Sequence, residues 1–219
     1  MPAAHEDFDN RDHPQAMINW LARQTPDVWH EAAPNLNWDN SERVLEWIIS
    51  QPQCDRATAA LIFWTANPLY YMRALASGAY RSDDSLRIVT TILRKWKAGF
   101  YTRAELAWPE DNRTAYNSAR LAAGGDPLAI PPDLLTPLKG RKPSVPAALL
   151  PENNLELYEL YYALGTDMGR KPGTDWRARE LRSQRAAILA GAAETGRFYL
   201  SVGPWLLAFG VLAIGGALG

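Results

Sequence analysis

A chain of 219 residues with a formal net charge of -1 lacks the basic surface that releases counterions from a phosphate backbone, so nucleic acid is excluded as a general partner. Its single cysteine, Cys54, excludes an internal disulfide framework and a cysteine-based zinc site, and suits a reducing compartment. Leaving aside an uncharged stretch of 22 residues at 198–219, almost 200 residues remain, enough for one substantial hydrophobic core.

Residues 1–13 read as a flexible acidic arm, with Glu6, Asp7, Asp9 and Asp12 beside His5 and His13. The arm has neither the basic nor the apolar region of a signal peptide, so the domain that follows is expected to stay in the cytoplasm. Its two imidazoles match no rigid ligand spacing, and neither a metal nor another cofactor is expected. From 14 to 125 apolar residues recur at helical period while alternating β-branched runs are almost absent, which predicts an all-α module of consecutive antiparallel helices joined by brief turns.

His30 stands beside Glu31 in DVWHEAAPNLNWDN; no nucleophile elbow accompanies the pair, and a core or capping role is expected. Asp39 and Glu42 have capping-box spacing ahead of VLEWIIS, and Pro52 ends that helix before the segment 54–65 starts another. NPLYYMRAL follows. The clearest amphipathic helix is SDDSLRIVTTILRKWKAGF. Ser82 can cap it, Asp83 and Asp84 suit its positive end, Leu86, Val89, Leu93, Trp96 and Phe100 recur every three or four residues, and Gly99 marks its stop. No GxGxxG or Walker-type loop points to a nucleotide.

Within this module, residues 35–72 carry a turn Asn37, Trp38, Asp39, a helix with Trp47, Ile48 and Ile49, a helix start with Cys54, Asp55, Thr58 and Ala59, and then Ile62, Phe63 and Trp64. On these features the segment resembles a bacterial family of uncharacterised domains, domain-of-unknown-function family 4274. The resemblance covers less than a third of the chain and implies a small helical module, with no activity to carry over. The residues read the same way directly: Asp39 and Asp55 fall at helix starts, where a carboxylate accepts backbone donors.

Between 126 and 151, DPLAIPPDLLTPLKGRKPSVPAALLP denies long regular structure and reads as a proline-rich connector on a surface, with Lys139, Arg141 and Lys142 as solvated charges. Residues 152–197 are expected to form a helical hairpin leading to a membrane. Its first helix shows a Leu157, Leu160, Tyr161, Leu164 stripe ended by Gly165, and its second carries Arg177, Arg179, Arg182, Arg185 and Arg197 against Glu180 and Glu194.

The stretch 198–219, FYLSVGPWLLAFGVLAIGGALG, would be about 33 Å long as a helix and would span a bilayer's hydrocarbon core. Pro204 can shorten its regular part to about 23 Å. The basic residues upstream place the N-terminal domain in the cytoplasm, at a bacterial inner membrane, with a single C-terminal transmembrane helix as tail anchor. Trp205, Phe209, Gly210, Gly215 and Gly219 are the candidate membrane or partner-helix contacts, and the GxxxG spacing of Gly215 and Gly219 allows homo-oligomer packing.

Nine tryptophans and nine tyrosines supply many amphipathic rings, and the adjacent pairs Tyr70, Tyr71 and Tyr161, Tyr162 are candidates for a partner surface, because neighbours on a helix point about 100° apart. The expected function is a non-catalytic accessory subunit or scaffold that binds and stabilises an integral membrane protein complex from its cytosolic side. Two alternatives stand beside it: a membrane-anchored enzyme using Asp39, Asp55, His30 or Glu31, and a soluble regulatory or immunity-type binding protein whose apolar C-terminal helix is buried.

Overall fold

A computed structural model describes residues 12–78 and 83–166, which all lie within one unit, Met1–Lys171. The described residues are all-helical. The N-terminal helices are α1 (His13–Leu21), α2 (Pro26–Ala32) and α3 (Glu42–Ser50), followed by α4 (Arg56–Thr65) and α5 (Pro68–Ala76). Beyond them come α6 (Asp84–Lys97), α7 (Arg113–Ala122) and α8 (Leu155–Ala163), with short 3-10 turns at Ala33–Asn35, Pro132–Leu134 and Ala147–Leu149.

Burial of α4 organises the rest. Residues Ala57, Thr58, Ala59, Ala60, Leu61, Ile62 and Phe63 form an unbroken buried run, as a helix apolar all round must when water is excluded from every side. Its small alanines allow close approach, and α2, α3, α5 and α6 all pack on it. Ile48 and Ile49 of α3 and Ile88, Val89, Ile92 and Leu93 of α6 close the same apolar cluster. Each such side chain removed from water contributes about 1.5–3 kcal/mol. The helices do not simply stack on their chain neighbours, since α1 packs on α3 and α8, α3 on α6, and α5 on α7.

Local signals start and stop these helices, with some corrections to the sequence reading. Asp12 caps α1 by accepting from Gln15 N, so Asp12 and His13 belong to a helix rather than to the arm. Asp55 caps α4 and Asp83 caps α6 by accepting from Leu86 N; Ser82 lies outside the described residues. The capping box expected of Asp39 is not formed. Ser41 holds the N-cap position of α3 without a side-chain cap bond, and Asp39 sits exposed in the turn before it. Gly99 and Gly165 stop α6 and α8 at φ of +67° and +73°, the left-handed conformation that glycine adopts without a Cβ penalty.

The stretch after α6 is irregular but not loose. Residues 105–108 pair with 138–141 through two isolated bridges, Leu106 with Arg141 and Trp108 with Leu138. Gly140 permits this approach, because a Cβ there would overlap the backbone of Glu105 and Leu106. The segment read as a surface connector also sends Leu128, Ile130, Leu134 and Leu135 into the main cluster. It thus lacks regular structure while contributing to the core.

Candidate functional site

Polar side chains converge in two places. The first lies beneath α2, where Asp27, His30, Asp55 and Thr58 are all buried. Asp55 Oδ1 accepts from Ala57 N at 2.9 Å, and its Oδ2 accepts from Glu105 N at 2.8 Å and Leu106 N at 3.3 Å. One carboxylate therefore caps α4 and fastens the 105–108 segment to it. Asp27 meets Arg141 through both carboxylate oxygens and accepts from Ser144 N at 2.6 Å. The Arg141 guanidinium holds the Asp27 carboxyl below the usual carboxylate range. Arg141 also reaches Glu105, which pairs with Arg103 at 2.9 Å.

His30 Nδ1 lies 3.0 Å from Thr58 Oγ1. Burial pushes this imidazole below its ordinary range, against the opposing pull of Asp55, Glu31 and Asp27, so the ring is held neutral. A hydroxyl beside an imidazole near carboxylates has the composition of a proton-transfer chain, but Thr58 is 1% exposed and the Asp55 oxygens are committed to backbone donors. Of the four residues considered for catalysis, Asp55 and His30 share this buried cluster, Glu31 lies at its margin and Asp39 lies apart and exposed. Cys54 is fully buried, and burial raises its thiol to about 12, which leaves it a core residue without thiolate character.

The second convergence is the turn 37–40. Asn37 Oδ1 accepts from Asp39 N and closes the turn on itself. Asn37 Nδ2 donates to Gly165 O at 3.0 Å and Asn40 Nδ2 donates to Leu164 O at 3.3 Å, while Asn37 N donates to Thr166 Oγ1 at 3.2 Å. Two asparagine amides thereby satisfy carbonyls at the C-terminus of α8 that no helical N–H can reach. Tyr161 OH donates to Ala32 O at 3.4 Å. A small cleft of about 10 Å³, roughly the room of one water, remains between α2, the segment 145–151 and α8, lined by Val28, Glu31, Ala32, Val145, Leu157 and Tyr161 among others.

The tyrosine pairs split across the surface. Tyr71 and Tyr161 are buried, the former with its hydroxyl on Asp83, so these two are core residues and cannot serve as partner contacts in this conformation. Tyr70 is 52% exposed and Tyr162 68%, with Leu155 on the same helix as Tyr162 also exposed. Arg177, Arg179, Arg182, Arg185 and Arg197, like Trp205, Phe209, Gly210, Gly215 and Gly219, lie outside the described residues. Among the described residues no helix is long and apolar enough to cross a membrane, and no group of three or more His, Cys, Asp or Glu side chains is placed to hold a metal ion.

Sequence reading gave no site role to Asp27, Glu105 or the motif residue Thr58, and it took Arg141 for a solvated charge, whereas Arg141 is paired with the buried Asp27. Asp27 follows Pro26 in the first turn of α2, where an acid is already explained by the helix dipole. Its partner lies 114 positions away, a separation that no local pattern encodes.

These features define an all-α module whose buried Asp27, Asp55 and His30 are bound to its own backbone and side chains. Residues 24–96 match the family model described as a domain of unknown function (DUF4274), the family that residues 35–72 resemble. No curated protein and no solved structure matches the chain. The motif residues now have physical roles. Asn37 clamps α8, Trp47 packs edge-on against Trp29 at 5.3 Å, and Trp64 Nε1 donates to Leu134 O at 3.0 Å.

Proposed function

We propose that this protein is a non-catalytic binding module, held at a membrane by residues 198–219 and attached through its helical unit to an integral membrane protein complex that it stabilises. The observation that carries the membrane half of this reading is the uncharged run 198–219 with arginines immediately upstream, a pattern suited to spanning with the helical unit on the cytoplasmic side. The binding half is in keeping with the internal use of Asp27, Asp55 and His30, whose hydrogen bonds among the described residues go to the chain's own groups. Exposed Tyr162, Leu155 and Tyr70 add apolar surface of the kind found at contact hot spots.

Fractionation of the full chain tests both halves. Leu207→Arg combined with Val211→Arg places two charges in the run, each unfavourable by about 2.5–3.5 kcal/mol at mid-bilayer, and should move the protein from the membrane pellet to the supernatant. A pellet fraction unchanged by both charges would overturn membrane anchoring. Tyr162→Ala in the unaltered background should keep the chain in the membrane but reduce the proteins that copurify in detergent. Identical copurification would remove this tyrosine from the contact.

A further inference from the structure

α8 is apolar nearly all round. Of its nine residues only Glu156 and Glu159 are charged, and the rest are apolar or aromatic, whereas α6 turns Arg87, Thr90, Arg94 and Lys97 outward. A helix of that kind is normally covered on every side. The described unit covers one side: Leu157, Tyr161 and the C-cap residue Leu164 are at most 2% exposed, while Leu155 and Tyr162 stand in solvent. Of the four large apolar side chains left exposed among the described residues, these two share one helix. They also share one stripe, because Leu155, Glu159 and Tyr162 follow one another at i, i+4 and i+7.

The acid at the centre of the stripe selects what can cover it. Glu156, on the flank, already pairs with Arg23 at 3.1 Å, and α8 has no basic residue of its own. Glu159 lies between the two apolar side chains, exposed and without an ion pair among the described residues. A second copy of the chain is a poor match, since two-fold pairing brings the centre of a stripe onto itself and would set one Glu159 against the other. An anionic lipid surface is a poor match because it carries the same sign of charge. A helix with a cation set between apolar side chains matches in both respects, since anchors at i, i+4 and i+7 are the spacing by which one helix meets another. Segments of this chemistry are supplied by the partner class already proposed, because short cytoplasmic loops beside membrane spans carry an excess of Lys and Arg.

We propose that the outer stripe of α8 is the docking surface for a cytoplasmic helix flanking a membrane span of the partner complex, with Leu155 and Tyr162 buried against its apolar side chains and Glu159 paired with a Lys or Arg between them. This rests on the binding-module reading above and names the chemistry of its partner. α8 keeps its place in the fold throughout, with its inner face in the core and its C-terminus held by Asn37 and Asn40.

The test uses the full chain with p-benzoylphenylalanine in place of Glu156, a rim position whose exposed ion pair adds little. Membranes of the cells that make the protein are irradiated and the cross-linked peptide is sequenced by mass spectrometry. The adduct should fall on a Lys- and Arg-bearing segment beside a membrane span. Glu159→Arg, at an exposed position that should leave helical circular dichroism unchanged, should cut its yield about tenfold, and exchanging the cation nearest the adduct for glutamate should restore it in that variant. A yield unchanged by Glu159→Arg, no rescue by the exchange, no adduct, or an adduct on a segment without cations, on a second copy or within residues 167–219 overturns the inference. Should Glu159→Arg lose its circular dichroism, salt decides with Glu159 in place: a yield that falls between about 0.05 and 0.5 M salt supports the pairing, and a constant yield overturns it. Loss of the adduct with the chain still in the membrane pellet removes this surface alone, whereas a pellet unchanged by the two tail charges, with the adduct kept, overturns the anchor and leaves the surface standing.

Discussion

Between α3 and α6 the chain is organised by apolar period: Ile48, Ile49, Ile62, Phe63, Ile88 and Ile92 are fully buried and meet in one cluster. From 101 to 154 it is organised by single polar groups, each of which ties a stretch of irregular backbone to a helix. Asp55 holds Glu105 and Leu106, Trp64 holds Leu134, and Asp27 holds Ser144. Asp133 joins Arg56 and the Trp96 indole, over which the Arg56 guanidinium also stacks at 4.5 Å. The difference teaches how a prolyl, strand-poor segment can complete a helical core. Apolar contacts are non-directional and redundant, whereas each polar tie is directional and, once removed, leaves specific donors buried without partners.

The largest effect should come from the centre. Phe63→Ala removes a fully buried ring and should lower unfolding free energy by about 3–5 kcal/mol, seen as a shift of the urea midpoint. A loss below about 1 kcal/mol would mean that the cluster collapses around the cavity and is less rigid than its packing implies. Next, Asp55→Ala orphans Ala57 N, Glu105 N and Leu106 N together. The loss of a cap and of two buried partners should amount to about 3 kcal/mol, approaching the effect of Phe63→Ala from a single buried side chain at the N-cap of α4. Asp55→Asn, which keeps one oxygen acceptor, should recover part of it. Were Asp55→Ala nearly silent, the 101–154 segment would be held by its leucines and the contrast between the two regions would dissolve.

A smaller effect isolates backbone approach from both. Gly140→Ala forces a Cβ into the backbone of Glu105 and Leu106, and overpacking of this kind costs about 1–3 kcal/mol. Gly125 has open space around its missing Cβ, so Gly125→Ala should stay within about 0.5 kcal/mol. Thermal melts of the two variants side by side would read the difference. Equal melting would show that the 105–108 and 138–141 segments separate at little cost.

The same contrast explains what the sequence revealed. The period of α6 exposed Val89, Leu93 and Trp96 as core and Gly99 as its stop, and the stripe on α8 exposed Leu157, Tyr161 and Leu164, because these features repeat within a few residues. Ile88 and Ile92 widen the α6 stripe beyond a strict three-four alternation. By contrast, the proline-rich stretch gave no period, so the burial of Leu128, Ile130, Leu134 and Leu135 was not visible, nor was α7, whose one fully buried residue is Ala119. At the candidate site, Asp55 was legible as a cap, and nothing local indicated that its second oxygen serves residues fifty positions later. The role of Asn37 and Asn40 as a clamp on α8 was likewise hidden, since an Asn-rich turn is self-explanatory as a turn.

His30 gives the smallest effect and the one that tells whether the buried polar cluster behaves as core or as an open site. Burial lowers its pKa in the folded state against the counteracting charges of Asp55, Glu31 and Asp27. The unfolded chain then takes up a proton near pH 6.5 while the folded chain still excludes it, so ν_U exceeds ν_N and stability must fall as pH drops below that point. One such group can contribute a slope of at most about 1.4 kcal/mol per pH unit. Urea unfolding between pH 7.5 and 5.5 should show this decline, and His30→Gln, which keeps a hydrogen-bonding group near Thr58, should flatten it at little cost at pH 7.5. If the slope survives in His30→Gln, another titrating group carries it. If the unaltered chain has no slope, the imidazole is reached by water, and the cluster beneath α2 is open in solution in a way that the packing of Thr58 and Asp55 does not allow.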